Sequence, residues 1–303
     1  MPTMPTCQGV FTALATPFRD GRFDAEAYAA HIDDQIARGV SGLVPIGTTG
    51  EAATLSDKEK VQVVRAAVDT AKGRVPVIAG AGANSTAATI EAVSRVRDAG
   101  ADAALVVTPY YNKPTQDGLW AHYSAIAQAH PGFSLVAYNV PGRTGVDLMP
   151  DTLRRLCDIP EIIGVKEATG SIARLVDILE RLAPGRLSLL SGDDFTVAPF
   201  VALGGHGVIS VSSNLVPDLM AKLVRAAAQS DMRQASELQV RLNPLHRALF
   251  LESNPIPVKA AMALLGRFSP ELRLPLTPMR PETRARLIDA MRALDLDVQS
   301  HAA

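Results

Sequence analysis

The sequence has little of what several specialised protein classes require. Two cysteines among 303 residues are too few for a disulfide framework. The 30 basic and 31 acidic residues give a net charge of −1 without a basic block, which argues against a dedicated nucleic-acid binder. No apolar run approaches the ~18 residues of a membrane span, and residues 1–6 lack the charged and apolar parts of a signal peptide. We therefore expect a cytoplasmic protein that binds neither nucleic acid nor membrane.

Metal-binding patterns are also missing. None of the six histidines stands at short spacing from a second histidine, a cysteine or a carboxylate in the manner of a metal site. The sequence therefore favours chemistry without a metal and without a bound cofactor.

Apolar runs rich in Val, Ile and Leu alternate with longer helical patterns. Hydrophobic residues make up 47% of the chain and charged residues 20%, as in ordinary globular proteins. The runs are almost continuously apolar, which is typical of parallel strands buried on both faces. Eight candidate strands result: Gly9–Phe18, Gly42–Gly47, Val75–Gly80, Ala103–Pro109, Ser134–Pro141, Ile162–Ala168, Leu187–Gly192 and Gly207–Ser213.

Eight strand–helix units within ~250 residues predict an α/β fold, the (β/α)8 TIM barrel, over residues 1–229. Ser56 and Glu59 have the spacing of a capping box at the start of one helix. A doubly wound sheet is the alternative, but no Gly-x-Gly-x-x-Gly follows the first strand. Residues 230–303 predict a small C-terminal helical appendage, with helices at Ser230–Phe250, Pro257–Leu265 and Pro281–Leu294.

The sixth predicted strand carries a lysine, Lys166, within the apolar run Ile162–Lys166. A free lysine titrates near ~10.4 and is charged at neutral pH. Burial lowers the pKa of a lysine, and the neutral amine can attack a carbonyl to form a Schiff base. The alternative is a lysine at a strand end whose ammonium group reaches water.

Active sites of such barrels lie at the C-terminal ends of the strands, so the polar residues there are candidates. After the second strand, Gly47–Glu51 contains Thr48 and Thr49. Their hydroxyls and the backbone N–H groups suit a carboxylate or a phosphate. The alternative is a simple turn in which the glycines supply positive φ.

Strands four and five end in aromatic residues. Tyr110 and Tyr111 follow the fourth strand, as a pair that either packs in the core or forms an interface. Tyr138 ends the fifth strand, next to the strand of Lys166, and can donate and accept protons in imine chemistry. Arg143 on the following loop offers a planar fork for a carboxylate, or else a surface salt bridge.

The last two strands add small polar groups. Asp193 and Asp194 follow strand seven, either as paired acids or with one of them capping the next helix. Strand eight, Gly207–Ser213, offers backbone groups. An amine, a phenol, hydroxyls and a guanidinium on one rim, without a metal, indicate a Schiff-base aldolase or lyase that acts on an acidic keto compound.

From Gly9 to about Pro278 the sequence resembles the dihydrodipicolinate synthase and N-acetylneuraminate lyase superfamily. Within it, the paired threonines and the arginine before Thr144 resemble the dihydrodipicolinate synthase branch. The resemblance is carried by Gly47–Glu51, Pro109–Asn112, Tyr138–Gly145, Gly164–Gly170, Ser191–Asp194 and Asn254–Lys259.

The resemblance implies an enzyme of diaminopimelate and lysine biosynthesis that condenses pyruvate with L-aspartate 4-semialdehyde. It implies that Lys166 forms the Schiff base with pyruvate and that Tyr138 moves protons as the enamine attacks the aldehyde. It also implies that Thr48 links Tyr138 to Tyr111 in a hydrogen-bonded relay. A sister aldolase acting on a sugar acid stays open, and a non-catalytic binding protein is disfavoured because these residues are all present.

Substrate binding and assembly follow from the same resemblance. Thr49, with Ile209 and Gly192 contributing main-chain contacts, is implied to hold the pyruvate carboxylate, and Arg143 the semialdehyde carboxylate. Tyr111 is implied to reach the site of a neighbouring subunit, in a homotetramer built as a dimer of dimers.

Four further positions concern inhibition by lysine and the C-terminal region. Ala88 stands where lysine-inhibited relatives carry a lysine-binding glutamate, and Asp57 and Lys60 stand where histidines are common, so we expect weak or absent feedback by lysine. Lys259, in the Asn254–Lys259 motif, is expected only to pair with a carboxylate or a helix end near the C-terminal appendage.

Overall fold

All eight predicted strands form in the computed structural model, which describes residues 7–298. Residues 1–6, where no signal peptide is predicted, and residues 299–303 of the predicted C-terminal region lie outside the described part. The strands are Gly9–Ala13, Gly42–Val44, Ile78–Gly80, Ala103–Val107, Ser134–Asn139, Ile162–Glu167, Ser188–Ser191 and Gly207–Ser210.

The strands are parallel and close into a barrel. Each strand pairs with its neighbours in chain order except the second and third, which lie at the two ends of the sheet, and the first strand pairs with the eighth, Gly9 opposite Gly207. A parallel bridge between Leu43 and Val77 joins the second strand to the segment that leads into the third. The predicted (β/α)8 barrel is therefore confirmed.

The strands are shorter than the apolar runs because the ends of the runs become loops. The fifth strand stops at Asn139, and Pro141 begins a one-turn helix, Pro141–Thr144, where its fixed φ suits the first helical position. The first strand stops at Ala13. The remainder of its run leads to a small antiparallel hairpin, in which Phe18 pairs with Phe23. The sequence pattern predicted neither feature.

Helices follow the strands and cover the outside of the barrel. The predicted capping box is present, because Ser56 Oγ accepts from Glu59 N and the Glu59 carboxylate accepts from Ser56 N. The segment after the seventh strand forms a 3₁₀ turn, Asp194–Thr196, and then a short helix. The helices that follow the eight strands are Ala25–Ala37, Asp57–Ala71, Thr86–Asp98, Gln116–Ala129, Pro150–Leu156, Ile172–Arg181, Val197–Ala202 and Pro217–Ala228.

Three more helices complete the described chain: Met232–Ala248, Ile256–Leu264 and Pro281–Arg292. The first packs against helix Pro217–Ala228, so the predicted division after residue 229 falls between two helices in contact. None of the helices in residues 7–298 is long and apolar enough to cross a membrane.

The core has two layers. The larger lies between the strands and the helices, and the smaller fills the barrel with side chains from alternate strand positions. Each fully buried large apolar side chain contributes about 1.5–3 kcal/mol. The interior cluster also contains Tyr138, so the packed interior ends at the predicted site. Its other members include Phe11, Val44, Ile78, Leu105, Val136, Leu190 and Ile209.

Candidate active site

Lys166 and Tyr138 form the centre of the site. They are register partners on the sixth and fifth strands. Lys166 is buried, with 7% of its surface exposed, and its Nζ lies 4.3 Å from the centre of the Tyr138 ring. The face of a phenol ring carries a negative potential that attracts a lysine ammonium group. The two residues that the sequence predicted to do the chemistry are thus in contact.

Gly192 makes room for the lysine. A methyl group at this position would lie 3.0 Å from Lys166 Cε and 2.5 Å from Ala168 Cβ, closer than packed carbon atoms approach. The Gly192 N–H donates to the backbone oxygen of Glu167 at 2.7 Å, which fixes the glycine beside the sixth strand. Gly192 therefore lies beside Lys166, a contact that the sequence did not predict.

A polar network behind the lysine joins strands five and six. The Glu167 carboxylate accepts from Asn139 Nδ2 at 3.0 Å and from the Thr169 N–H at 2.8 Å. Asn139 Nδ2 also donates to Asp147 at 2.8 Å. These bonds hold the ends of both strands in one register, so they support Lys166 from the outside of the barrel. In the sequence, this network is indicated by Asn139 and Glu167, two polar residues inside apolar runs.

The loop after strand two has residues with positive φ at both of its ends. Positive φ occurs at Ile46, 46°, and at Glu51, 54°, so the interpretation that glycines supply it is wrong. Gly50 is needed for space instead, because a methyl group there would lie 3.0 Å from Ile46 N. Thr49 is almost fully buried on this loop, and Thr48 is half-buried.

The C-terminal region holds this loop in place. Asn254 Nδ2 donates to Thr49 Oγ1 at 3.0 Å. Lys259 Nζ lies 2.6 Å from Glu51 Oε1, with 0% and 1% of the two side chains exposed. Burial lowers the pKa of Lys259, and the Glu51 carboxylate opposes that shift. The expected pairing of Lys259 with a carboxylate is therefore confirmed, and the carboxylate is that of Glu51 on the loop after strand two.

Arg143 lies at the mouth of the barrel. It is exposed on the one-turn helix after strand five and lines a cavity of about 630 Å³. Asn254 lines the same cavity, which therefore extends from the guanidinium to the residue that contacts Thr49. The other lining residues are Phe250, Leu251, Glu252, Ser253, Ile256, Thr277 and Arg280.

Tyr111 lies on the surface of the chain. Its surface is 90% exposed, and its φ of 74° lies in the left-handed region that bulky residues rarely adopt. Among residues 7–298, no hydrogen bond joins the hydroxyls of Thr48, Tyr138 and Tyr111. One chain therefore does not assemble the predicted relay.

The remaining candidates lie at strands seven and eight. Ile209 is fully buried and pairs with Phe11 across the barrel seam. Asp193 caps the 3₁₀ turn by accepting from Phe195 N, which confirms the capping interpretation, and burial raises the pKa of Asp193. Asp194 accepts from Val211 N and Ser212 N. Within the described residues, no three metal-ligating side chains come together.

Fold and site together are those of a (β/α)8-barrel lyase with a buried lysine on the sixth strand. A sequence profile of the dihydrodipicolinate synthetase family matches residues 6–294. The chain belongs to this family.

Relatives named 4-hydroxy-tetrahydrodipicolinate synthase match nearly the whole chain. The protein from Maridesulfovibrio salexigens is 49% identical over 292 residues, 96% of this chain and 99% of the relative. The protein from an Anaeromyxobacter species is 52% identical over 293 residues, 97% of this chain and 99% of the relative. The predicted family and enzyme class are confirmed.

Solved structures agree with the sequence relatives. The chloride-inhibited dihydrodipicolinate synthase from Acinetobacter baumannii, complexed with pyruvate, superposes with a TM-score of 0.94 at 45% identity, covering 96% of this chain and 100% of that one. The dihydrodipicolinate synthase from Aquifex aeolicus gives 0.94 at 41% identity, covering 97% and 100%. Both likenesses extend over the barrel and the C-terminal helices.

Proposed function

We propose that the protein condenses pyruvate with L-aspartate 4-semialdehyde to give 4-hydroxy-tetrahydrodipicolinate, in the diaminopimelate and lysine biosynthesis pathway. The observation that carries the proposal is the buried Lys166 amine against the Tyr138 ring at the C-terminal end of the barrel. The names of the full-length relatives and the pyruvate complex of a structural neighbour support the same reaction.

Lys166 is the nucleophile in this scheme. Its Nζ attacks the C2 carbonyl of pyruvate, and loss of water gives an imine. The imine withdraws electrons, so a proton leaves C3 and an enamine forms. C3 then attacks the aldehyde carbon, and the amine of the bound semialdehyde displaces Lys166 as the ring closes. Tyr138 gives and takes protons in these steps. No electrons are transferred to or from an outside partner, so the scheme needs no redox cofactor.

Two carboxylates must be bound while this happens. Thr49 and the backbone around Gly192 and Ile209 hold the carboxylate of pyruvate near Lys166. Arg143 binds the carboxylate of the semialdehyde at the mouth, where its planar fork can donate two hydrogen bonds. The cavity lined by Arg143 provides the route by which this second substrate enters.

Tyr111 is proposed to act in a neighbouring subunit. A large aromatic side chain that is 90% exposed is unfavourable unless a partner covers it. Its positive φ is a strained conformation of the kind found at functional sites. Two subunits would complete the relay through Thr48, and a homotetramer built as a dimer of dimers is the proposed assembly. Both described cysteines are free, in keeping with a cytoplasmic location.

Borohydride reduction with pyruvate tests the chemistry. Reduction should leave a pyruvate-derived adduct on Lys166, and pyruvate with aspartate semialdehyde should turn over in an assay coupled to the next reductase. An absent adduct would refute the Schiff base. An adduct without turnover of this aldehyde would assign the protein to a sister aldolase that acts on another aldehyde.

A further inference from the structure

We propose that Asn254 is a positioning residue that directs the Thr49 hydroxyl toward the carboxylate of pyruvate. The proposal rests on the proposed function, because it concerns the same pyruvate site. Asn254 lies outside the barrel strands, 205 residues after Thr49, and its Nδ2 donates to that hydroxyl.

The direction of one hydrogen bond carries the argument. A threonine hydroxyl has one hydrogen and two lone pairs. Asn254 Nδ2 donates to Thr49 Oγ1 at 3.0 Å, which occupies a lone pair and leaves the hydrogen of Thr49 for another acceptor. A carboxylate accepts hydrogen bonds and donates none. Asn254 therefore prepares Thr49 to donate to an anionic ligand.

Burial keeps water from competing for the Thr49 hydroxyl. Thr49 is 2% exposed and Asn254 is 7% exposed, so bulk water does not offer the hydroxyl competing partners. Asn254 Oδ1 is buried and has no hydrogen-bond partner among residues 7–298.

A second link holds Asn254 and Thr49 at this distance. Lys259, on the helix that begins at Ile256, pairs with Glu51, two residues after Thr49. Glu51 also accepts from the Arg273 N–H at 3.1 Å. Because the two segments are joined twice, Asn254 cannot drift from Thr49 without separating a buried ion pair.

The test measures how much pyruvate half-saturates borohydride trapping on Lys166, read by intact mass. We expect Asn254→Ala to raise this concentration about tenfold, as for weakening one hydrogen bond to a charged group. Asn254→Asp should raise it further, because the carboxylate takes the Thr49 hydrogen and repels pyruvate. Thr49→Val should raise it too, and Asn254→Ala should then add less than about twofold.

Matched variants separate positioning from folding. Thr49→Ser keeps the hydroxyl, so Asn254→Ala should keep its full effect in that background. Asn243→Asp makes the same chemical change on helix Met232–Ala248 and should leave trapping unchanged. If Asn254→Ala does not fold, the comparison is made with Asn254→Asp in the Thr49→Val and Thr49→Ser backgrounds.

Two results would overturn the proposal. One is unchanged pyruvate saturation in the Asn254 variants. The other is an effect of the same size with and without the Thr49 hydroxyl, which would show that Asn254 acts independently of it. Absence of an adduct in the unmodified protein would instead overturn the proposed function.

Discussion

Tyr138 and Lys166 are opposite each other on adjacent parallel strands, with the lysine Nζ 4.3 Å from the centre of the phenol ring. Strand side chains alternate between two faces, so a slip of one residue would move Lys166 from the barrel interior to the helix side. Glu167 and Asn139, bonded at 3.0 Å on that other side, oppose such a slip. The position of Lys166 therefore depends on the register of two strands.

We expect different effects from substituting Lys166 and from substituting Tyr138. Lys166→Met should abolish both the borohydride-trapped adduct and turnover, because the attacking amine is gone. Tyr138→Phe should keep the adduct but lower kcat by about 10²–10⁴, the usual contribution of a positioned acid or base. Intact mass and the coupled assay provide the readouts. An adduct in Lys166→Met would mean that another lysine is the nucleophile.

Gly192→Ala should impair the enzyme without removing any reactive group. The added methyl group would lie 3.0 Å from Lys166 Cε and 2.5 Å from Ala168 Cβ, so the lysine must move. We expect adduct formation to slow by at least tenfold. Gly142→Ala is the control, since a methyl group there meets nothing within 4 Å. Equal trapping rates in the two variants would contradict this view of Gly192.

The buried Lys259–Glu51 pair should be costly to break from one side. Lys259→Met leaves the Glu51 carboxylate buried without its cation, which typically lowers the free energy of unfolding by about 3–5 kcal/mol. The double variant Lys259→Met, Glu51→Gln should recover part of the loss. Urea unfolding measures both. A single variant as stable as the unmodified protein would show that the pair does not hold the loop.

Buried histidines should make stability depend on pH. Burial lowers the pKa of His31 to about 4 from its ordinary value of 6.5, and His122 behaves similarly. Between these values the folded protein binds fewer protons than the unfolded one, so the free energy of unfolding rises with pH. This contribution is complete above pH 6.5 and is lost toward pH 4.

His31→Gln should reduce that slope while the contribution of His122 remains. Glutamine can still reach Asn214, whose Oδ1 lies 3.0 Å from His31 Nε2. Urea unfolding at several pH values between 4 and 6.5 gives the slope. An unchanged slope would mean that His31 does not resist protonation in the folded protein.

Lysine should inhibit the enzyme weakly or not at all. Ala88 offers no carboxylate for a ligand ammonium, a loss of about 1.5–3 kcal/mol. Asp57 does not replace it, since its carboxylate lies 3.4 Å from both Lys60 and Arg95. Half-inhibition by micromolar lysine in the coupled assay would contradict this. Ala88→Glu should increase sensitivity to lysine.

The sequence was sufficient for the barrel and for the buried lysine on its sixth strand, because both depend on local patterns. Eight apolar runs predict eight buried strands, and a lysine inside such a run stands out. The support of Thr49 was not predictable in this way. Asn254 and Lys259 lie 205 and 208 residues from their partners, and only the folded chain brings them together. The positive φ at Ile46 and Glu51 likewise follows from tertiary packing rather than from residue type.

The C-terminal region holds the loop after strand two in place. The site can therefore be completed only after this region has been synthesised. A ribosome makes Thr48, Tyr138 and Lys166 well before it reaches Asn254 and Lys259. A nascent or truncated chain that ends before residue 254 contains Lys166, but the Glu51 carboxylate lacks the cation that neutralises it. Translation of the last sixth of the chain is thus the step that completes the support of the Thr49 loop.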